Sequence, residues 1–275
     1  MAEIKASDVA KLRALTGAGM MDCKNALQEA DGDINNAIDI LRKKGQKVAN
    51  KRADREASEG AVIAKQNANG KSAALIALNC ETDFVAKSDE FVKFAVAIAE
   101  TAVANNAANL DALKAMKVGD HTIADEVMNR TGIIGEKVEL NYFEKVDGEQ
   151  VAVYIHPGNK LASIVAFNKA IDANSAKDIA MQIAAMNPVS IDKSDVPQSV
   201  IDKEIEIGKE LAMNEGKTAE MAEKISLGKL NKFFQESTLL NQQFIKDNKS
   251  TVEQFLQSID KELKVVAFKR FSLAI

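Results

Sequence analysis

The chain has 275 residues, 46% apolar and 28% charged, with a net charge of −4; that length suits one large domain or roughly two to three small ones, and the mild acidity argues against a dedicated nucleic-acid binder. There is no Trp and only two Tyr, which argues against stacking platforms for single-stranded nucleic acid, and Cys23 and Cys80 are too few for a disulfide framework and suit a reducing compartment. Met1-Ala2-Glu3-Ile4-Lys5 lacks an apolar run behind a basic start, and no stretch nears the roughly 20 apolar residues of a membrane span, so a cytoplasmic protein with no membrane contact is expected.

Residues 1–45 read as a compact three-helix module. Ser7 is placed to cap a first helix beginning at Asp8, whose acid suits the first turn. Thr16-Gly17-Ala18-Gly19 breaks that helix, and residues 20–30 form a second. Asp31-Gly32 is a turn, and Asp33 caps a third helix with Ile34, Ala37, Ile38 and Leu41 on one face, expected to end at Gly45. Residues 46–58 read as a basic linker. From 42 to 55 the chain carries Arg42, Lys43, Lys44, Lys47, Lys51, Arg52 and Arg55 against Asp54 alone. Such a run is either a solvated face or a contact with an acidic partner or RNA.

Residues 59–135 read as the first half of an α+β core. Strands at 61–66 and 71–78 flank the hairpin signal Asn67-Ala68-Asn69-Gly70. A long helix over 88–105 presents Phe91, Phe94, Ala95, Ile98 and Ala102 on one face, followed by short helices near 109–117 and 121–131. Residues 136–275 read as a second half on the same plan. Strands are expected near 137–144 and 151–156, then the turn His156-Pro157-Gly158-Asn159-Lys160, a strand over 161–167, and a helix over 175–186 that stops before Pro188. Ser72-Ala73-Ala74-Leu75-Ile76-Ala77-Leu78-Asn79 lines up with Leu161-Ala162-Ser163-Ile164-Val165-Ala166-Phe167-Asn168. This is either a duplication or a chance likeness between two hairpin-plus-helix units.

Within that half, residues 196–235 read as a projecting antiparallel helical hairpin of coiled-coil character. Val200, Ile201, Ile205, Ile207 and Leu211 mark one arm, and Met221, Ala222, Ile225, Leu230 and Phe233 the other. Each arm is roughly 25 Å long at 1.5 Å per residue. Such a hairpin either meets another protein or covers the sheet. A helix near 251–260 and a strand over 265–273 close the chain.

Signatures of chemistry are sparse. Gly70-Lys71-Ser72 resembles the end of a phosphate-binding loop, but Lys65 stands where that loop needs its first glycine, and a strand follows instead of a helix. Cys23, Cys80, His121 and His156 match no zinc spacing. Cys80 as a nucleophile beside Asp83 is the best enzyme reading, yet a thiol ending an apolar strand is ordinarily inert. What stands out is Thr82-Asp83-Phe84-Val85, an acid and a large ring between a buried strand and a long helix. Taken by itself it reads as helix entry with Phe84 folded inward as a staple; a protruding wedge is the other reading.

Two longer runs carry a resemblance. Leu12-Arg13-Ala14-Leu15-Thr16-Gly17-Ala18-Gly19-Met20-Met21-Asp22-Cys23-Lys24-Asn25-Ala26-Leu27 resembles the N-terminal signature of the bacterial elongation factor Ts family, and Leu78-Asn79-Cys80-Glu81-Thr82-Asp83-Phe84-Val85-Ala86-Lys87 resembles its second signature. Ala77 departs from the glutamate usual there, and the chain lacks the Gly-Glu-Gly stretch and final helix that members often carry after the last strand. The resemblance implies a ubiquitin-associated-like three-helix module, a duplicated α+β core of two small antiparallel sheets, and a helical hairpin. It implies a guanine-nucleotide exchange factor for elongation factor Tu, without chemical catalysis or a cofactor of its own. On that resemblance Thr82, Asp83, Phe84 and Val85 form a magnesium-displacing tip. Leu12, Arg13, Thr16, Gly17, Met20 and Lys24 dock on the GTPase, and Tyr154 and His156 contact another of its domains. A homodimer through the second half or the hairpin stays open, as does a protein-binding module without exchange activity.

Overall fold

The computed structural model describes residues 4–273; residues 1–3 and the last two residues, on which the readings of the two chain ends partly rest, lie outside the described residues. Three helices open the chain: α1 (Ala6–Thr16), α2 (Met20–Glu29) and α3 (Ile34–Lys51). They bury Leu12, Cys23, Ala26, Leu27 and Ala37 in a core of their own. Gly17 ends α1 in the left-handed conformation, φ 70°, as a C-terminal glycine does where any side chain would be strained. Asp33 caps α3 by accepting from the Asn36 amide, as expected. Ser7 is not the cap of α1: the helix starts at Ala6, with Lys5 in the cap position and no side-chain bond there.

The third helix does not end at Gly45. It runs on to Lys51, so the first six residues of the expected linker are helical. The reason is tertiary. Gly45 is buried against Gly132 of α7 (Ile123–Ile134), and a Cβ on Gly132 would stand 2.3 Å from the Gly45 Cα. Glycine here permits two helix backbones to meet, rather than supplying the positive φ of a helix stop.

The remaining strands form two three-stranded antiparallel sheets and a small ribbon. In the first sheet the order is β1 (Glu59–Gln66), β2 (Ser72–Cys80), β5 (Glu139–Asp147). In the second it is β6 (Gln150–Ile155), β7 (Leu161–Phe167), β8 (Val265–Ser272). The ribbon pairs β3 (Lys117–Val118) with β4 (His121–Thr122), between α6 (Leu110–Ala115) and α7, and was not expected. The strand expected to open the second half instead completes the first sheet. β5 pairs with β2 from Ser72–Asp147 to Asn79–Glu139, because β2 is buried from Ala73 to Cys80 and needs a partner on each edge. The chain therefore crosses between sheets in the turn after Asp147, not at residue 136.

The sheets pack face to face between two helices, α5 (Asp89–Ala104) and α8 (Ala173–Met186). Ala74, Ile76, Leu78 and Cys80 of β2 face α5, while Ala73, Leu75 and Ala77 face the second sheet. Along β7, Ala162, Ile164 and Ala166 face the first sheet, while Val165 and Phe167 face α8. Both central strands are covered on both sides, so they read as continuous apolar runs, with the two-residue period hidden. The two runs aligned in the sequence occupy matching places.

The helical hairpin consists of α9 (Gln198–Asn214) and α10 (Ala219–Ser237). Gly208 lies against Ser226, where a Cβ would come within 3.0 Å of the Ser226 Cα, and Lys209 pairs with Glu223 at 3.6 Å. Its base is pinned by the buried Gln242, whose amide donates to the Met186 and Glu236 carbonyls. The chain then returns through α11 (Val252–Ile259) to β8. Among the described residues no helix is long and apolar enough to cross a membrane.

Candidate functional site

β2 ends at the buried Cys80, and a one-turn helix, α4 (Asp83–Ala86), follows at once. Thr82 is its N-cap, and its hydroxyl lies 3.5 Å from the Val85 amide. The turn is closed by Ala86 donating to the Thr82 carbonyl at 3.2 Å and Lys87 donating to the Asp83 carbonyl at 3.0 Å. The Cys80 thiol donates to the Thr82 carbonyl from below at 3.2 Å. Ser88 then caps α5, accepting from the Phe91 amide. Val85 and Ala86 pack onto the α5 core, so the turn sits on a rigid base.

Phe84 points the other way. Its ring is 84% exposed, so the inward staple expected from the local pattern is not formed. The inward position is already taken by Val85 and Ala86, one and two residues on. Beside the ring, Asp83 accepts from Lys87 Nζ at 2.6 Å. That bond, with the Lys87 charge and the nearby Lys160, holds the Asp83 carboxyl below its usual range, so the tip presents a carboxylate and a bare aromatic ring side by side.

Two further carboxylates grip the tip from behind. Glu136 accepts from the Thr82 amide at 3.0 Å and from the Thr82 hydroxyl at 2.7 Å. Glu81 accepts from Arg52 Nη1 at 2.8 and 3.0 Å and from the Lys137 amide at 2.6 Å. The Lys137 amide, then Arg52, hold Glu81 below its usual range against the opposing effect of burial. Neither carboxylate was singled out in the sequence, because their partners lie 29 to 56 residues away.

The expected docking residues divide. Arg13, Gly17, Met20 and Lys24 are exposed and Thr16 is half-buried. Leu12 is not a contact residue: it is fully buried in the module core, where α1 packs on α2 and α3. The same surface carries two apolar residues that sequence reasoning did not single out as contacts, Leu15 and Met21, each more than 60% exposed. Between the module and the α5–α7 pair runs a groove of about 700 Å³, lined by Leu15, Asp22, Glu90, Lys93 and Arg130 among others. Its α5 wall starts within a few residues of the tip.

Tyr154 and His156 lie at the end of β6, the Tyr154 hydroxyl 3.0 Å from His156 Nδ1. Their turn is tied to the tip's side of the molecule. The Val62 amide donates to the Asn159 carbonyl at 2.7 Å, and Lys160 pairs with Glu59 at 3.0 Å. Cys80 is no nucleophile: burial, with Glu136 adding to it, pushes the thiol up to about 12.

Comparison with known proteins gives this arrangement a family. The model of the family described as Elongation factor TS matches residues 81–274, which include the tip. Elongation factor Ts of Porphyromonas gingivalis is 50% identical over 267 residues, 97% of each chain. Those of Christiangramia forsetii and Flavobacterium psychrophilum are each 50% identical over 275 residues, covering 99% of this chain and all of theirs. With a matching family model over most of its length and relatives alike from end to end, the chain belongs to the elongation factor Ts family of bacterial translation elongation factors.

Proposed function

We propose that this protein is a guanine-nucleotide exchange factor that promotes GDP release from elongation factor Tu during translation elongation in the cytoplasm. The observation that carries the reading is Phe84: a large ring, 84% exposed, on a turn braced at both ends. An exposed aromatic on a rigid base is suited to entering a partner's pocket at low entropic cost.

The division of labour is the one the family resemblance implies, and the exposure of these residues supports it. The exposed face of the N-terminal module, with Arg13, Thr16, Gly17, Met20 and Lys24, docks on the GTPase domain, and Leu15 and Met21 add apolar area to it. The tip then enters beside the nucleotide. Asp83 perturbs the network around the GTPase's magnesium, the largest local positive charge at the phosphates. Phe84 fills an apolar pocket and holds the displaced state, while Thr82 and Val85 keep the turn in shape. Tyr154 and His156 grip a second domain. The two halves of the core read as a duplicated unit, supported by the matching placement of β2 and β7 between sheet and helix.

Exchange of this kind needs no chemical catalytic group and no cofactor of the factor itself, and the reading requires no contact with nucleic acid or membrane. The factor binds nucleotide-free elongation factor Tu better than the loaded form, and by linkage the nucleotide weakens the factor's binding by the same ratio. Fully burying a Phe side chain is worth ~1.5–3 kcal/mol. With 84% of the ring still exposed, its insertion supplies ~1.3–2.5 kcal/mol, about a 9- to 70-fold effect on rate. The test is release of fluorescent GDP from elongation factor Tu. The intact protein is expected to accelerate release strongly, and Phe84→Ala to lose most of the gain. No acceleration by the intact protein would leave a binding module without exchange activity.

A further inference from the structure

The tip is held by more than its own turn. Three segments far apart in sequence meet behind it: the end of α3, the end of β2 and the exit of α7. Gly135, φ 77°, ends α7 in the left-handed conformation and turns the chain so that Glu136 and Lys137 face residues 81 and 82. Glu136 takes both the amide and the hydroxyl of Thr82. Glu81 takes Arg52 and the Lys137 amide. Lys137 Nζ closes the knot by donating to the Ala53 carbonyl at 3.0 Å. The same α3 carries the docking module, and the same α7 meets it at Gly45 and Gly132. The two surfaces that must touch one partner at once are thus cross-tied at Glu81 and Thr82, just before Phe84.

We propose that Glu136 and Glu81 are positioning residues for exchange. Glu136 holds the Thr82 end of the tip in its working direction, and Glu81 ties that point to Arg52, so that the module's docking face and the Phe84 ring keep one fixed separation. This rests on the exchange reading. Charge-assisted bonds to a backbone amide and a hydroxyl from one carboxylate define a direction more strictly than packing does. A wedge displaced by about 1 Å from its productive position can lose on the order of 100-fold in effect.

The experiment measures GDP release from elongation factor Tu against factor concentration for the intact chain, Glu136→Ala, Glu136→Gln, Phe84→Ala and the double variant. Glu136→Ala is expected to lower the rate at saturating factor ~10-fold, with the half-saturating concentration changed less than ~3-fold, because docking is intact while the tip is misdirected. Glu136→Gln keeps an acceptor for the Thr82 amide and is expected to recover most of that rate. In the Phe84→Ala background, Glu136→Ala is expected to cost nothing further, since coupled residues are non-additive. Additive losses, or a loss confined to the half-saturating concentration, would overturn the positioning role. Should Glu136→Ala melt below the assay temperature, Thr82→Val removes the hydroxyl half of the same grip and faces the same two outcomes. An intact chain without exchange activity overturns the functional reading and this inference with it. An active intact chain with an equally active Glu136→Ala overturns this inference alone.

Discussion

The Gly45–Gly132 contact supports a sharp prediction because its two halves are unequal. A Cβ added to Gly45 meets the Gly132 Cα at 3.5 Å, an ordinary contact, whereas a Cβ added to Gly132 would stand 2.3 Å from the Gly45 Cα. Both glycines lie inside helices, and each replacement by Ala gains up to ~0.8–1 kcal/mol of helix propensity. That gain is shared, so the difference between the two variants isolates the clash. Overpacking costs ~1–3 kcal/mol, and the upper half of that range applies because the struck atoms are backbone and cannot rotate away. Gly45→Ala is therefore expected to be neutral or stabilising by up to ~1 kcal/mol, and Gly132→Ala to lie ~2–3 kcal/mol below it. The chain has no Trp, so urea unfolding followed by far-ultraviolet circular dichroism is the suitable assay. Equal effects of the two substitutions, or a Gly132→Ala variant as stable as Gly45→Ala, would refute the backbone-to-backbone packing of α3 on α7.

The other predictions concern the tip. Phe84→Ala touches no folded contact of weight, so stability is expected to stay within ~0.5 kcal/mol; a fall of 2 kcal/mol or so would mean that the ring belongs to the core. Cys80, with its thiol pushed up to about 12, is expected to resist iodoacetamide in the native protein at about pH 8 and to react once the chain is unfolded in urea. Rapid native alkylation at Cys80 would contradict its burial. Glu81 and Asp83 both have folded values below their ordinary ones of 4.5 and 3.8. Their contribution is therefore complete above those ordinary values and is lost as pH falls through the depressed folded values. Tip function and stability are expected to be insensitive to these two groups between about pH 5 and 8, with an acid limb that Glu81→Gln reduces. An unchanged acid limb in Glu81→Gln would remove Glu81 from the account.

Much of the molecule could be read without coordinates where the signal is local. The cap at Asp33, the glycine stop at Gly17, the hairpin around Asn67-Gly70 and the pattern of α5 depend on neighbours a few residues away. The helical hairpin was legible for the same reason, since its two apolar stripes flank the short turn Asn214-Glu215-Gly216-Lys217. The two signature runs fall on segments that carry exposed apolar side chains, Phe84 in one and Leu15, Met20 and Met21 in the other. Reading failed where one residue type serves two purposes. Gly45 looked like a helix stop and is a contact with Gly132; Leu12 looked like a docking residue and is core; the local pattern at Phe84 favoured an inward staple over a wedge, and the ring is exposed.

Residue order by itself determined most of the longer elements, the apolar stripes and the chemistry available at residues 82–85, because each is set by backbone preference and side-chain type within a turn or two of the chain. Only the tertiary structure decided that β5 joins the first sheet, that α3 continues into the basic run, and that Glu136 and Arg52 converge behind the tip. Those outcomes rest on hydrogen bonds and backbone contacts between segments 29 to 87 residues apart. Such pairings follow from which open strand edge, helix face or amide is left to be satisfied once the local elements have formed.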